Sequence, residues 1–171
     1  SLPSEIAQGI RFVWKQPLIR RISFATATSN LSSTGVFTLM PFIVLRDIGM
    51  PIGTWGAVWT VSSLGGLAGA ISAAPLMKRI GEGQLITASM TGTAFTALLY
   101  PIAATQHSVI AAAILLAVAG FVSMFFVLTY NITQVSARQR LCPKPLLGRM
   151  NASIRFMVWG VMPISALLSG F

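Results

Sequence analysis

The sequence predicts an all-α integral membrane protein with about five transmembrane helices. Charged residues make up 9% of the chain, whereas 54% of residues are hydrophobic and the mean hydropathy is +0.77. A typical soluble domain has about 25% charged residues, so this chain has too few to cover a soluble surface. In addition, the apolar residues form long uncharged runs, and the basic residues lie between those runs. This arrangement is typical of membrane helices joined by polar loops.

The basic excess also allows a second interpretation. A net charge of +9 could indicate a protein that binds nucleic acid. Such proteins gather Lys and Arg on one exposed face of a charged surface. Here the charges are separated by long uncharged runs, which favours loops at a membrane surface. We therefore expect the lipid bilayer as a partner and no nucleic acid.

Residues 1–16 are predicted to form a cytoplasmic segment that precedes the membrane bundle. Ser4 can cap a short helix in which Ile6, Ile10 and Trp14 recur at helical spacing. One interpretation is an amphipathic helix in the membrane interface with Trp14 at headgroup level. The other is a partly helical linker, because so short a helix is marginal in isolation.

Residues 17–171 are predicted to form the transmembrane bundle. At 1.5 Å per residue the first uncharged run extends about 36 Å, which is enough to cross a hydrocarbon core of about 30 Å. The connections between runs are short and contain Gly and Pro, so consecutive helices should be antiparallel. The predicted helices are 22–45, 54–77, 85–104, 109–130 and 151–171.

The distribution of basic residues predicts the orientation. With the N-terminus inside, eleven Lys and Arg residues lie on the cytoplasmic side, and Arg46 alone lies outside. Basic loops remain cytoplasmic, so the opposite orientation is disfavoured. The richest cytoplasmic loop carries five basic residues and no carboxylate, namely Arg138, Arg140, Lys144, Arg149 and Arg155.

Small residues follow two neighbouring stripes along the second helix. One stripe contains Ser62, Gly66, Ala70 and Ala74, and the other contains Gly65, Gly69 and Ala73. Small residues at four-residue spacing allow the backbones of membrane helices to approach closely. The stripes therefore predict a packed bundle.

A polar stripe runs along the first helix. Its candidate pathway residues are Thr26, Asn30, Ser33, Thr34 and Phe37. Polar side chains within the membrane usually face the bundle or a water-filled cavity, so this stripe is a candidate pathway wall. The alternative is that Ser and Thr donate to their own helix carbonyls, which leaves Asn30 as the informative residue.

The fourth helix offers a second candidate wall. Its residues are Phe121, Met124, Phe125 and Leu128, with Tyr130, Asn131 and Gln134 at the cytoplasmic end. Aromatic and Met side chains suit an adaptable apolar binding surface. Contact with lipid or packing in the bundle is the alternative for each of them. Trp55 and Trp59, near the outer end of the second helix, are expected in an aromatic belt.

The chain offers little for catalysis. Its one histidine is His107, its one cysteine is Cys142, and its three carboxylates lie in or near water. No spacing of metal ligands and no phosphate-binding loop occurs. We therefore expect neither an enzyme nor a bound cofactor or metal.

Four stretches resemble the C-terminal half of a major facilitator superfamily transporter, most closely bacterial exporters of the enterobactin and macrolide type. They are FVWKQPLIRRISF before the first helix, LMPFIVLRDIGM at its end, GGLAGAISAAPLMKRIG over the second, and NITQVSARQRLCPKPLLGRMNASIRFMVWGVMPISALLSG at the end. The last is the most specific, with a Pro, a Gly-Arg pair, an Asn and a later Gly-x-x-Pro.

The resemblance implies twelve helices in two bundles around a central cavity. The helices here would be the seventh to eleventh, and an N-terminal half and a last helix of the parent transporter would be missing. The seventh and tenth helices line the cavity in the family, in agreement with the two candidate walls. The implied function is proton-coupled export of small amphipathic molecules across the plasma membrane by alternating access.

The resemblance also implies gating residues in the cytoplasmic loops. Arg79 and Gly81 match the gating loop of the family, and Lys78 stands where the family has Asp. Arg149, Asn151 and Arg155 belong to the matching final stretch. Lys78 and Arg79 could instead bind anionic lipid. The alternative to a transporter is a truncated, non-transporting membrane protein or a helical assembly partner.

Overall fold

The computed structural model describes residue 11 and residues 13–156, and in this part of the chain every regular element is helical. The all-α prediction is confirmed. The main helices are α1 (Pro17–Phe42), α2 (Ile52–Ile80), α3 (Glu82–Ala97), α4 (Leu99–Ala104) and α5 (Val109–Leu141). Residues 147–156 are also helical. Most of the predicted helix 151–171 lies outside the described residues.

Within the described residues, four helical stretches are long and apolar enough to cross a membrane. They are Pro17–Asp47, Ile52–Ile80, Glu82–Ala104 and Val109–Leu141. The first combines α1 with a short π-helix, Ile43–Asp47, and the third combines α3 with α4. Each coincides with one of the first four predicted runs, although the ends differ.

The largest difference is at the end of α5. The sequence predicted an end near residue 130, but α5 continues through Asn131 to Leu141. The end of an uncharged run shows where a helix leaves the hydrocarbon, which need not be where the helix ends. After residue 130 no helix-breaking residue occurs before Cys142-Pro143, so α5 continues to Leu141. Arg138 and Arg140 in the last turn also favour the helix, because they complement its dipole.

Prolines account for the irregular points within the membrane stretches. Pro41 lies inside α1 and donates no backbone hydrogen bond, and the π-helix follows directly, with Ile48 N donating to Ile43 O at 3.0 Å. Between α3 and α4, Leu98 N donates to Phe95 O at 3.2 Å, which is a tighter turn. Pro101 follows in the first turn of α4, where a missing N–H costs little.

The chain forms two compact units. The first unit comprises Ser1–Met40 and Arg138–Phe171. Its described core joins residues from both parts, namely Val13, Ile19, Cys142, Met150 and Ile154, with Ala27, Leu146 and Leu147 packed against them. Ile19 and Met150 are fully buried. The segment before α1 is thus packed against the segment after α5.

The second unit, Pro41–Ala137, is organised by the contact of α2 with α5. A Cβ added to Gly65 would overlap the carbonyl group of Phe121, and one added to Gly69 would overlap that of Phe125. The two backbones therefore touch without a side chain between them. The close approach that the stripes of small residues predicted is confirmed.

The order of these contacts shows the direction of packing. Gly65 meets Phe121 and Gly69 meets Phe125, so residue numbers rise together and α2 is parallel to α5. The third membrane stretch runs the other way, because Gly92 meets Phe126 and Tyr100 is hydrogen-bonded to Ser123. The second and fourth stretches thus run in the same direction, and each ends in basic residues.

A hydrogen bond joins α5 to α2. Thr129, which is fully buried, donates from Oγ1 to the Gly69 carbonyl at 3.3 Å. We expect Thr129→Val to lower the free energy of unfolding by roughly 0.6 kcal/mol, the average for such bonds in membranes. Thr60→Val is the control, since exposed Thr60 donates within its own helix, to Gly56 O. Unfolding of both purified variants tests this, and equal losses would contradict it.

Candidate functional site

The candidate wall on α1 has a buried and an exposed end. Thr26 is buried, Asn30, Ser33 and Thr34 are half-buried, and Phe37 is exposed. Ser23, one turn before Thr26, is buried and its Oγ has no hydrogen-bond partner in the described part of the chain. The stripe is therefore shielded near the start of α1 and more accessible towards its end.

Two polar side chains of this stripe donate to their own helix. Thr26 Oγ1 donates to Ile22 O at 2.8 Å, and Thr38, which follows the stripe, donates in the same way from Oγ1 to Thr34 O at 2.8 Å. Asn30 does the same, with Nδ2 donating to Thr26 O at 3.0 Å. Asn30 is thus less distinct from the Ser and Thr residues than the sequence suggested. Its amide has further hydrogen-bonding capacity, because this bond uses one N–H.

The candidate wall on α5 is in contact with α2. Met124 and Leu128 lie against Gly66, where an added Cβ would be 3.4 Å from Leu128 Cδ2. The backbones of Phe121 and Phe125 touch Gly65 and Gly69 as described above. Packing within the bundle, the alternative left open by the sequence, therefore accounts for part of the surface of these four residues.

The same four residues also keep accessible surface. Phe121 is 36% exposed, and Met124, Phe125 and Leu128 are half-buried. The rings of Phe125 and Phe126 meet edge to face at a centroid distance of 5.5 Å. Asn131, at the next turn of α5, is exposed. The α5 set belongs to the second unit and the α1 set to the first.

The loop candidates of the second unit lie at a helix end and in the turn that follows it. Lys78 and Arg79 are exposed in the last turn of α2. Gly81 has φ of +82°, and it ends α2 by donating to Met77 O while its own carbonyl accepts from Leu85 N in α3. An L-residue at this φ is strained, so Gly81 has a structural reason to be glycine.

The remaining loop candidates belong to the first unit. Arg149 and Asn151 are half-buried, and Arg155 is exposed. Ser153 Oγ donates to the Arg149 carbonyl at 2.9 Å. Arg149 and Arg155 both have interaction partners.

The sequence interpretation did not predict that polar residues near the end of α5 are buried. Thr129, Thr133 and Gln134 are buried, as is Arg138 one turn later. Gln134 Oε1 has no hydrogen-bond partner among the described residues. The four-residue spacing of Gln134 and Arg138 was the sequence signal that could have indicated a shared helix face. These residues lie where the run becomes polar, and such a position normally indicates exposure to water.

No described residues form a group that could hold a metal ion. The surroundings of Cys142 are instead those of a core residue. It is buried in the core of the first unit, beyond the last residue of α5, and Sγ lies 3.6 Å from the Pro143 carbonyl. Burial raises the pKa of the Cys142 thiol above its ordinary value.

This pKa leads to a testable pH dependence. The thiolate is the reactive form, and a raised pKa lowers its fraction at neutral pH. We expect maleimide to label Cys142 more slowly in the folded protein than in detergent-denatured protein. The folded rate should keep rising at pH values where the denatured rate has levelled off. Parallel profiles in the two states would contradict a buried thiol.

The helices and their close packing define the class of protein, a multi-pass α-helical membrane protein. The family model described as Major Facilitator Superfamily matches residues 2–167. The chain therefore belongs to the major facilitator superfamily, a family of membrane transporters. Comparisons with curated proteins and with solved structures give no match.

Proposed function

We propose that this chain is the C-terminal bundle of a major facilitator exporter that carries small amphipathic molecules across the plasma membrane. The observation that carries the proposal is the family match combined with the final stretch 131–170, which resembles the exporters of the family. In this assignment the chain supplies the seventh to eleventh helices, and the parent protein supplies the other half and the last helix.

The side chains of the two candidate walls suit such substrates. The α1 wall offers hydroxyl and amide groups, of which Asn30 is half-buried with hydrogen-bonding capacity to spare. The α5 wall offers aromatic and Met surface that is only partly used in packing. Hydroxyl and amide groups suit the polar groups of a substrate, and aromatic and Met side chains suit apolar groups.

The proposed orientation places the N-terminus in the cytoplasm. The helices α2 and α5 are parallel, and both end in basic residues. Because basic loops remain cytoplasmic, these two ends support the proposed orientation. The loop candidates Lys78, Arg79, Gly81, Arg149, Asn151 and Arg155 then belong to the cytoplasmic gate. In this proposal a proton gradient drives export, and the carboxylates that couple proton movement to export lie in the other half of the parent.

Asn30 provides the sharpest test. In the parent protein, expressed in a drug-sensitive host, Asn30→Leu should lower export of a substrate by about tenfold, as expected for one lost hydrogen bond of about 1.4 kcal/mol. The helix should remain stable, because the Thr26 carbonyl that accepts from Asn30 also belongs to the backbone ladder of α1. Cellular accumulation of candidate compounds is the measurement, with and without a proton uncoupler.

Thr28→Leu is the matched control, since Thr28 is a polar but exposed residue of the same helix. Its export should equal that of the unmodified parent. Equal export by Asn30→Leu would remove Asn30 from the pathway. Accumulation that does not respond to the uncoupler would overturn proton coupling, and the absence of export for every compound would overturn the exporter assignment.

A further inference from the structure

A surface with both cationic and aromatic side chains lies where the segment before α1 meets its first turns. Trp14 and Phe24 are 50% and 57% exposed, and their rings meet edge to face at a centroid distance of 5.7 Å. Arg20 Nη1 donates to the Trp14 carbonyl at 3.5 Å. Lys15, Arg20 and Arg21 are all exposed. We call these five residues the Trp14 surface.

The described residues around the Trp14 surface carry charge of one sign. The described residues of the first unit include Lys and Arg but no Asp or Glu. The bond uses one of the five N–H donors of Arg20 and holds the guanidinium at the backbone carbonyl of Trp14. An arginine oriented in this way suits the oxygen atoms of a phosphate group.

An apolar track continues from the charges along α1. Phe24 and Leu31 are two turns apart on one side of the helix, and both are exposed. The opposite side is buried, with Ile19, Ile22 and Thr26. A ligand that reaches from Arg20 to Leu31 therefore needs an anionic end followed by hydrocarbon. Free phosphate would use only the cationic end.

We propose that the Trp14 surface binds an anionic phospholipid of the phosphatidylglycerol type. The phosphate lies against Arg20 and Arg21, the indole of Trp14 lies at headgroup level, and an acyl chain follows Phe24 and Leu31. Tryptophan prefers this depth of a bilayer, and basic residues near an anionic leaflet strengthen binding. This selectivity does not depend on the proposed export function.

The test compares lipids on the full chain in non-ionic detergent micelles. Phosphatidylglycerol or phosphatidylcholine is titrated, and bound lipid is counted by native mass spectrometry. Phosphatidylglycerol should bind more tightly to the unmodified chain. The double variant Arg20→Gln/Arg21→Gln should lose about 30-fold in affinity for it, since each basic residue near an anionic surface contributes about fivefold. Arg20→Lys/Arg21→Lys should retain most of the affinity.

Arg46→Gln is the matched control, because it removes one exposed arginine from the other end of the same membrane stretch. It should change phosphatidylglycerol binding less than twofold. Equal affinity of the unmodified chain for the two lipids would overturn the proposal without any variant. Displacement of the lipid by equimolar inorganic phosphate would also overturn it, because the site would then recognise phosphate alone.

Discussion

Replacement of Gly65 by alanine is expected to destabilise the protein by about 3 kcal/mol, the upper end of the usual cost of overpacking. The added Cβ would overlap the backbone of Phe121, and a backbone cannot rotate aside as a side chain can. The helices α2 and α5 must therefore separate. Separation would also weaken the bond from Thr129 to Gly69. The measurement is unfolding of the purified protein, together with its yield as a monodisperse species.

Two other glycines of α2 serve as controls. A Cβ on Gly66 would meet only side-chain atoms of Leu128 and Met124, at 3.4 Å or more, and one on Gly56 would meet nothing within 4 Å. Gly66→Ala should therefore cost little, and Gly56→Ala should be neutral or slightly stabilising, since alanine favours a helix. Similar stability of the Gly65, Gly66 and Gly56 variants would show that α2 and α5 are not in backbone contact.

Ile19→Ala is expected to have the second large effect, because it should lower the free energy of unfolding by about 3 kcal/mol. Ile19 is fully buried in the core that joins the segment before α1 with residues 142–154. Truncation leaves a cavity next to Cys142, so maleimide should also label this thiol faster. The two readouts together separate local loosening of this core from a general loss of structure.

Leu18→Ala is the control for this core. Leu18 is the neighbouring residue in sequence but is 52% exposed. Its truncation should change stability by less than about 0.5 kcal/mol and leave Cys142 labelling unchanged. If both variants labelled equally fast, Ile19 would not shield Cys142.

Contacts between the helices of the second unit were predictable to a useful degree. The stripes with Gly65 and Gly69 could be read from spacing alone, because a helix converts four-residue spacing directly into one face. The partner residues on α5 could not be read, since spacing does not show which helix a face meets. The sequence therefore predicts a pathway wall at Phe121 and Phe125 and does not show that they pack against Gly65 and Gly69.

Two other features depend on information that a single sequence lacks. The hydrogen bond of Asn30 to Thr26 depends on the rotamer that Asn30 adopts, and either outcome fits the same spacing. The core of the first unit joins Val13 and Ile19 with Met150 and Ile154, more than a hundred positions apart. Pairing at such separation is a tertiary property. The burial of Gln134 was missed for the same reason.

The turn at Gly81 limits how α2 and α3 can move. It is the one residue between them outside a helix, so the two helices share a joint with only two torsion angles. A tilt of α2 must pull the start of α3 with it, and a rotation of one helix about its axis twists the other. During a transport cycle α2 and α3 would therefore move together as one helical hairpin and not as two independent helices.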